Sequence, residues 1–247
     1  MESNSSAVNQ IRTILVDKWL NTLLNGLHPP TCLLCRIATG KYDICPDCDA
    51  DLPRIPHGCH RCGLGLVRPS DRLCGACLRQ PPHFDSTIAA LAYQFPVSGL
   101  IQQFKFGRQL ATGRLLAQLL ADTVANCPEP LPDMLYPVPM HRWRRASRGF
   151  NQAMEIGRDL AHRFGLGLDQ SALVKTCNTA PQAELSRRQR QGNLRGVFEF
   201  RRTSSVPATA ALIDDVMTTG STVNECARTL KRAGVEKVSV WVVARAV

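Results

Sequence analysis

Apolar residues recur four apart near the start of the chain, at Ile11, Leu15, Trp19, Leu23 and Leu27. That spacing predicts an amphipathic helix over residues 11–27, with a stripe that packs on the protein, a partner or a membrane face. Residues 30–82 then lose the pattern and are too polar to hold a core of their own. From residue 84 the texture changes. Strands are expected over residues 86–94, 134–138, 210–213 and 238–244, with a strand fragment over 197–200. Helices are expected over 97–106, 109–126, 150–164 and 222–233, the last two ended by Gly165 and Gly234. Strands alternating with helices imply an α/β fold, a parallel sheet with helices on both faces. Residues 178–195 have no apolar period and carry Arg187, Arg188, Arg190 and Arg195.

Cysteine fills the polar stretch. Eight of eleven cysteines form four CxxC knuckles: Cys32/Cys35, Cys45/Cys48, Cys59/Cys62 and Cys74/Cys77. Two-residue spacing turns both sulfurs of a knuckle toward one metal, and a closed tetrahedral zinc site takes two knuckles. Four knuckles therefore predict two structural four-cysteine zinc sites. Sequential pairing closes the shortest loops, and a cross-braced arrangement is the alternative. A disulfide framework suits an oxidising compartment, and a redox CxxC comes singly near a βαβ pattern. His57 and His60 become bystanders once eight thiolates are present. Cys127, Cys177 and Cys226 stand apart and read as small buried hydrophobes. The expected domains are a tail and helix over residues 1–29, a double zinc-ribbon module over 30–82, and an α/β domain over 83–247.

Composition adds little to the fold but bears on partners. Hydrophobic residues make up 44% and charged residues 20% of the 247, an ordinary globular balance. No run of about 18 apolar residues occurs. The first ten residues lack a basic region, and Arg12, Asp17 and Lys18 interrupt the apolar stretch that follows. A cytoplasmic location is expected, with the N-terminal helix as a candidate for peripheral contact with the inner membrane face. The formal charge is +10. Eight thiolates with two zinc ions lower that figure by four, to about +6, which still favours polyanions.

The densest chemistry lies at one turn. Residues 211–222 read Ala-Leu-Ile-Asp-Asp-Val-Met-Thr-Thr-Gly-Ser-Thr. An apolar strand delivers Asp214 and Asp215 at its C-terminal end, then a loop of small hydroxylated residues opens a helix. Exposed N–H groups and the helix dipole at such a start attract an anion. Thr218, Thr219, Ser221 and Thr222 add hydroxyl donors, and Gly220 lets the backbone close on a phosphate. The carboxylates can accept hydrogen bonds from sugar hydroxyls beside that phosphate. A GxxxxGK loop and a GxGxxG fingerprint are both absent. A strand and a well-capped helix with aspartates as turn formers is the plainer alternative.

Residues 212–222 resemble the signature of type I phosphoribosyltransferases, and with the knuckles the chain resembles the ComF family, the GntX branch in particular. Tyr136-Pro137-Val138-Pro139, Arg148-Gly149-Phe150-Asn151-Gln152, and Gln182 followed by Arg187, Arg190 and Asn193 fit that family too. The resemblance covers residues 30–247 and implies a type I phosphoribosyltransferase-like sheet. It implies that Asp214 and Asp215 hold the ribose 2′- and 3′-hydroxyls, and that Thr218, Thr219, Gly220, Ser221 and Thr222 cradle the 5′-phosphate. It implies that the loop after Pro139, with Arg142, Arg144, Arg145 and Arg148, meets a pyrophosphate neutralised by magnesium. Residues 178–195, with Arg187, would form a flap closing over the site. Lys105, between Phe104 and Phe106, is a further phosphate candidate or a half-buried amphipathic lysine.

Three functions compete. One is a protein that binds phosphoribosyl pyrophosphate or a related ribose phosphate and works in DNA uptake or the use of DNA as nutrient. Phosphoribosyltransferase activity toward an unidentified acceptor, and contacts with DNA-uptake proteins, belong to that reading. The second is a single-stranded nucleic-acid-binding adaptor with a vestigial site, for which stacking aromatics are expected, although the module has only Tyr42, with Phe84 at its exit. The third is a nucleobase salvage phosphoribosyltransferase, which has no evident need of eight zinc ligands.

Overall fold

The computed structural model describes residues 31–39, 42–107, 109–140, 149–176, 196–201 and 205–246. The helix expected over residues 11–27, the segment 178–195, Arg142, Arg144, Arg145, Arg148 and Cys177 lie outside the described residues. The chain divides into two units, Met1–Asp51 and Leu52–Val247, so the cysteine-rich stretch expected over residues 30–82 contributes to both.

In the first unit the described chain turns back on itself through a bridge between Thr31 and Ala38 and ends in a short helix, α1 (Pro46–Ala50). Cys45 caps that helix, its Sγ accepting from Cys48 N–H at 3.5 Å.

In the second unit a short helix α2 (Gly75–Arg79) follows Cys74 and precedes the sheet. The remaining elements are β1 (Ser86–Ala92), α3 (Val97–Gly107), α4 (Leu110–Ala125), β2 (Met134–Pro137), α5 (Gln152–Phe164), β3 (Gly167–Leu168), β4 (Leu173–Lys175), β5 (Phe198–Phe200), β6 (Thr209–Met217), α6 (Ser221–Ala233) and β7 (Lys237–Arg245). Five strands pair in the order β1-β7-β6-β2-β3, each neighbour parallel, while β4 and β5 form a separate antiparallel pair. The fold is thus the expected α/β one.

The central strands read as unbroken apolar runs because both of their faces are covered. On one face Ala210, Leu212, Val238, Val240 and Val242 pack with Val223, Cys226, Ala227 and Leu230 of α6. On the other, Gly157 of α5 comes close to Ile213, Leu168 and Pro137. Phe164 of α5 meets Trp241 of β7 edge-on, with ring centroids 6.2 Å apart. Each fully buried aliphatic side chain contributes about 1.5–3 kcal/mol by leaving water.

Several element bounds differ from expectation, each for a local reason. β6 runs through both aspartates to Met217, because its pairing with β7 continues through Asp214↔Val242 and on to Met217↔Arg245. α5 starts at Gln152 rather than residue 150, because the Asn151 side chain caps it by accepting from Ala153 N–H at 3.1 Å. β3, of two residues, and β4, of three, are too short for a periodic signal. Of the two described isolated cysteines, Cys226 is buried as expected and Cys127 is half-buried.

Gly113 sits inside α4, where alanine normally stabilises a helix by about 1 kcal/mol. Here a Cβ would lie 2.5 Å from Cε2 of the fully buried Phe104 ring. Gly113→Ala should therefore destabilise, by about 1–3 kcal/mol. Trimming the ring with Phe104→Leu should reverse the sign of the Gly113→Ala effect, and a double-mutant cycle in urea checks it.

Candidate functional site

The order β1-β7-β6-β2-β3 changes direction between β6 and β2. From β6 the chain crosses through α6 to β7 on one side, and from β2 through α5 to β3 on the other. In an open parallel sheet the two connections leave a crevice outside the strand ends at this point. Pro137 is level with Ile213, and Val138 N–H donates to Ile213 O at 2.9 Å. The segment Pro137-Val138-Pro139 and the segment from Asp214 to Thr222 therefore leave the sheet side by side.

Asp214 and Asp215 are consecutive strand residues, so they face opposite sides of the sheet. Asp215 is buried, and its Oδ2 lies 2.7 Å from Lys105 Nζ of α3. Its Oδ1 accepts from Val216 N–H at 2.8 Å. Asp214 Oδ1 accepts from Asp215 N–H at 2.9 Å. Burial, then the like charge of Asp215, holds the Asp214 carboxyl well above the usual carboxylate range. Asp214 is on the α6 side: burial, then its charge, pushes up the thiol of Cys226 on that helix.

The hydroxylated loop follows at once. Gly220 adopts φ 76°, in the left-handed region, and a Cβ there would come 2.7 Å from Met217 Cε. Being the residue before α6, it offers the first turn no side-chain acceptor, and that turn carries no acidic residue. The helix start thus keeps its attraction for an external anion. Thr219 Oγ1 and Ser221 Oγ lie 2.9 Å apart, and Thr218 is exposed at the lip. Asp214, Asp215, Thr218, Thr219, Gly220, Ser221 and Thr222 are contiguous on this one connection, and Lys105 joins them through Asp215. Arg148 and Arg187 lie outside the described residues.

Asn151 Nδ2 donates to Val138 O at 3.2 Å, which ties the start of α5 to the loop after β2. The next residue, Gln152, is buried, and its Nε2 has no hydrogen-bond partner among the described residues. Arg245, the last residue of β7, lies under the hydroxylated loop, with its Nη1 donating to Met217 O at 3.1 Å and to Thr218 O. Sequence reading passed over it. The available signal was a lone arginine closing the apolar run of residues 238–244.

The knuckles pair sequentially. Cys32, Cys35, Cys45 and Cys48 form one cluster and Cys59, Cys62, Cys74 and Cys77 the other, the sulfurs of each lying within 4.8 Å of one another. Cys35 and Cys45 sulfurs are 3.6 Å apart, as are those of Cys62 and Cys74. Zinc–sulfur bonds of about 2.3 Å in a tetrahedron put the sulfurs about 3.8 Å apart, so both clusters fit the ion. Burial opposes ionisation at Cys32, but the backbone N–H groups of Cys35, Cys45 and Leu34 hold its thiol down at about 6. At Cys74 burial likewise opposes, and hydrogen bonds from the Cys77 backbone and thiol prevail, giving about 7. Contacts among the thiols push Cys48 up, while burial and then such contacts do so at Cys77, the expected strain of packing four thiols without a cation. Zinc held by four cysteines has no open position, so its chemistry here is structural.

Residues 23–78 match the family model described as a double zinc ribbon domain. The chain is 35% identical over 226 residues to the DNA utilization protein YhgH of Salmonella typhi, covering 88% of this chain and 97% of that protein. It is 34% identical over 223 residues to competence protein F of Haemophilus influenzae, covering 87% and 96%. A solved structure titled as the allosteric regulatory enzyme of purine biosynthesis aligns with 53% of this chain and 25% of its own, at 17% identity and a TM-score of 0.34. An α/β sheet with a metal-binding cysteine module thus defines the class. The chain belongs to the ComF family, with the DNA utilization protein YhgH and competence protein F as relatives. Among the described residues no helix is long and apolar enough to cross a membrane.

Two measurements follow from these geometries. Elemental analysis of the purified chain should give two zinc ions, and Cys45→Ser should leave one. A wild-type value of one contradicts the two-site reading. Asp214 carries a raised folded-state value, so it weakens folding as pH rises from the ordinary carboxylate range through that value. Asp214→Asn should therefore melt higher than wild type near pH 8 and together with it below about pH 4. Melting curves at the two pH values check this.

Proposed function

We propose that this ComF-family protein binds phosphoribosyl pyrophosphate or a related ribose phosphate in the crevice between β2 and β6. The carrying observation is the juxtaposition of Asp214 and Asp215 with a hydroxylated helix-opening loop at the point where the strand order reverses. In this reading Asp214 and Asp215 accept hydrogen bonds from the ribose hydroxyls. Thr218, Thr219, Gly220, Ser221 and Thr222 enclose the 5′-phosphate. The loop after Pro139 and Arg148 face the pyrophosphate, with magnesium held mainly by substrate oxygens and water. Gln152 Nε2, a buried donor lacking a partner among the described residues, supports a ligand acceptor near that loop. Lys105 orients Asp215 and keeps a positive charge beside the phosphate.

When a phosphoribosyl group is transferred, the bond from ribose C1 to pyrophosphate breaks and the acceptor bonds to C1. The chain's part is to position the sugar and offset charge on the leaving group, Arg187 being the flap candidate for the latter. The names of the relatives support a role in DNA uptake or in the use of DNA. A cytoplasmic location and DNA-uptake proteins as partners belong to the same proposal. A second reading is single-stranded DNA binding. Phe95 favours it, being 87% exposed, whereas Phe84 is buried and not available for stacking.

Calorimetric titration of phosphoribosyl pyrophosphate with magnesium into the zinc-loaded protein tests the first reading. Micromolar binding is expected, with a loss of at least tenfold in Asp214→Asn/Asp215→Asn. No binding to wild type, together with salt-dependent binding of an oligodeoxythymidine, would leave the DNA reading in its place.

A further inference from the structure

We infer that the second four-cysteine cluster is a strut of the hydroxylated loop, and that Arg245 is the positioning residue joining the two. Arg245 closes β7 and is 7% exposed, and no acidic side chain pairs with it among the described residues. Its guanidinium instead serves backbone carbonyls. Nε donates to Cys62 O at 2.9 Å, and Nη1 donates to Met217 O at 3.1 Å, to Thr218 O and to Ala246 O. One rigid planar group therefore spans the third knuckle and the first residues of the loop.

The consequence follows from peptide geometry. In a planar trans peptide the C=O of one residue and the N–H of the next point in opposite directions. Arg245 draws the carbonyls of Met217 and Thr218 inward, so the N–H groups of Thr218 and Thr219 turn away from it, toward the side where an anion can sit. The arginine thus sets the direction of the Thr219 N–H, and shares that of the Thr218 N–H with the Ala246 N–H, which also donates to Met217 O at 3.0 Å.

What fixes Arg245 is the knuckle. Gly63 N–H donates to Cys59 O at 2.7 Å, and Cys59 N–H donates to Leu64 O at 2.7 Å. Cys74 N–H donates to Cys59 Sγ at 3.2 Å, linking the two halves of the cluster. No covalent bond joins those halves, and four thiolates repel one another without a cation. The chain leaving the cluster touches the loop's far side too. His83 N–H donates to Asn224 Oδ1 in the first turn of α6 at 2.6 Å, and Phe84 lies 4.0 Å from where a Gly220 Cβ would be. Metal loss at this cluster therefore frees the Cys62 carbonyl, then the guanidinium, then the loop. Order in the loop becomes conditional on zinc.

The inference deepens the ribose-phosphate reading and takes the loop's ligand from it. Its test reads loop order without ligand, so either can fail alone. Backbone 15N relaxation is measured on the full zinc-loaded chain, on Cys74→Ser/Cys77→Ser and on Arg245→Met. Order parameters of Thr218, Thr219 and Gly220 should be near about 0.85 in wild type and fall below about 0.6 in both variants. Val240 and Val242 in the core of β7 should keep their wild-type values. Stepwise chelation of the wild-type chain gives the same comparison without a substitution, should a variant not fold. A loop that stays rigid after metal loss, or in Arg245→Met, overturns the inference. So does a loss of order shared equally by Val240 and Val242, which makes the cluster a general staple of the fold.

Discussion

The parallel pairing of β6 with both β7 and β2 is the constraint from which the candidate site follows. Pairing with β7 extends past the apolar residues as far as Met217, and so carries Asp215 into a buried position and Asp214 into a half-buried one. Pairing with β2 stops at Pro137↔Ile213, where proline ends the ladder from its own strand. Two backbones that run together up to that level part there. The crevice between them is bordered by carboxylates on one bank and by Pro137-Val138-Pro139 on the other.

The electrostatics of that crevice are unfavourable in isolation. Two adjacent carboxylates at a buried strand end oppose each other, and Lys105 relieves one of them. The other, Asp214, stays above its ordinary range. Such an arrangement lowers stability unless a ligand uses it, and sugar hydroxyls beside a phosphate are groups that an ionised pair can accept from. The helix start next to it has the opposite bias, toward an anion. A ligand that carries vicinal hydroxyls and a phosphate a few bonds apart satisfies both at once.

Much of this was legible in the chain. Period-2 and period-3.6 patterns located β1, β2, β7, α3 to α6 and the start of β6 to within two residues, because each buries a face of ordinary length. The CxxC spacing announced two metal clusters, though not which knuckles pair, since both pairings use the same spacing. The strand end at Met217 was not legible, because its extension depends on a partner strand twenty-eight positions away along the register. Lys105 stood out as a phosphate candidate or half-buried lysine, but its pairing with Asp215 was not visible, nor was any role of Arg245. Each is a lone basic residue in apolar surroundings, and what it touches is set by tertiary contacts: Asp215 for one, the Cys62, Met217 and Thr218 carbonyls for the other.

The account's central claim is that the two carboxylates read ribose hydroxyls while the loop holds a phosphate. Competition binding of ribose 5-phosphate, 2-deoxyribose 5-phosphate and inorganic phosphate to the zinc-loaded protein addresses it directly. The account predicts that ribose 5-phosphate binds at least about tenfold more tightly than its 2-deoxy analogue, the worth of a hydrogen bond to a charged group. It also predicts that this preference vanishes in Asp214→Asn/Asp215→Asn. Equal affinity for the two sugars in the wild-type protein would contradict it.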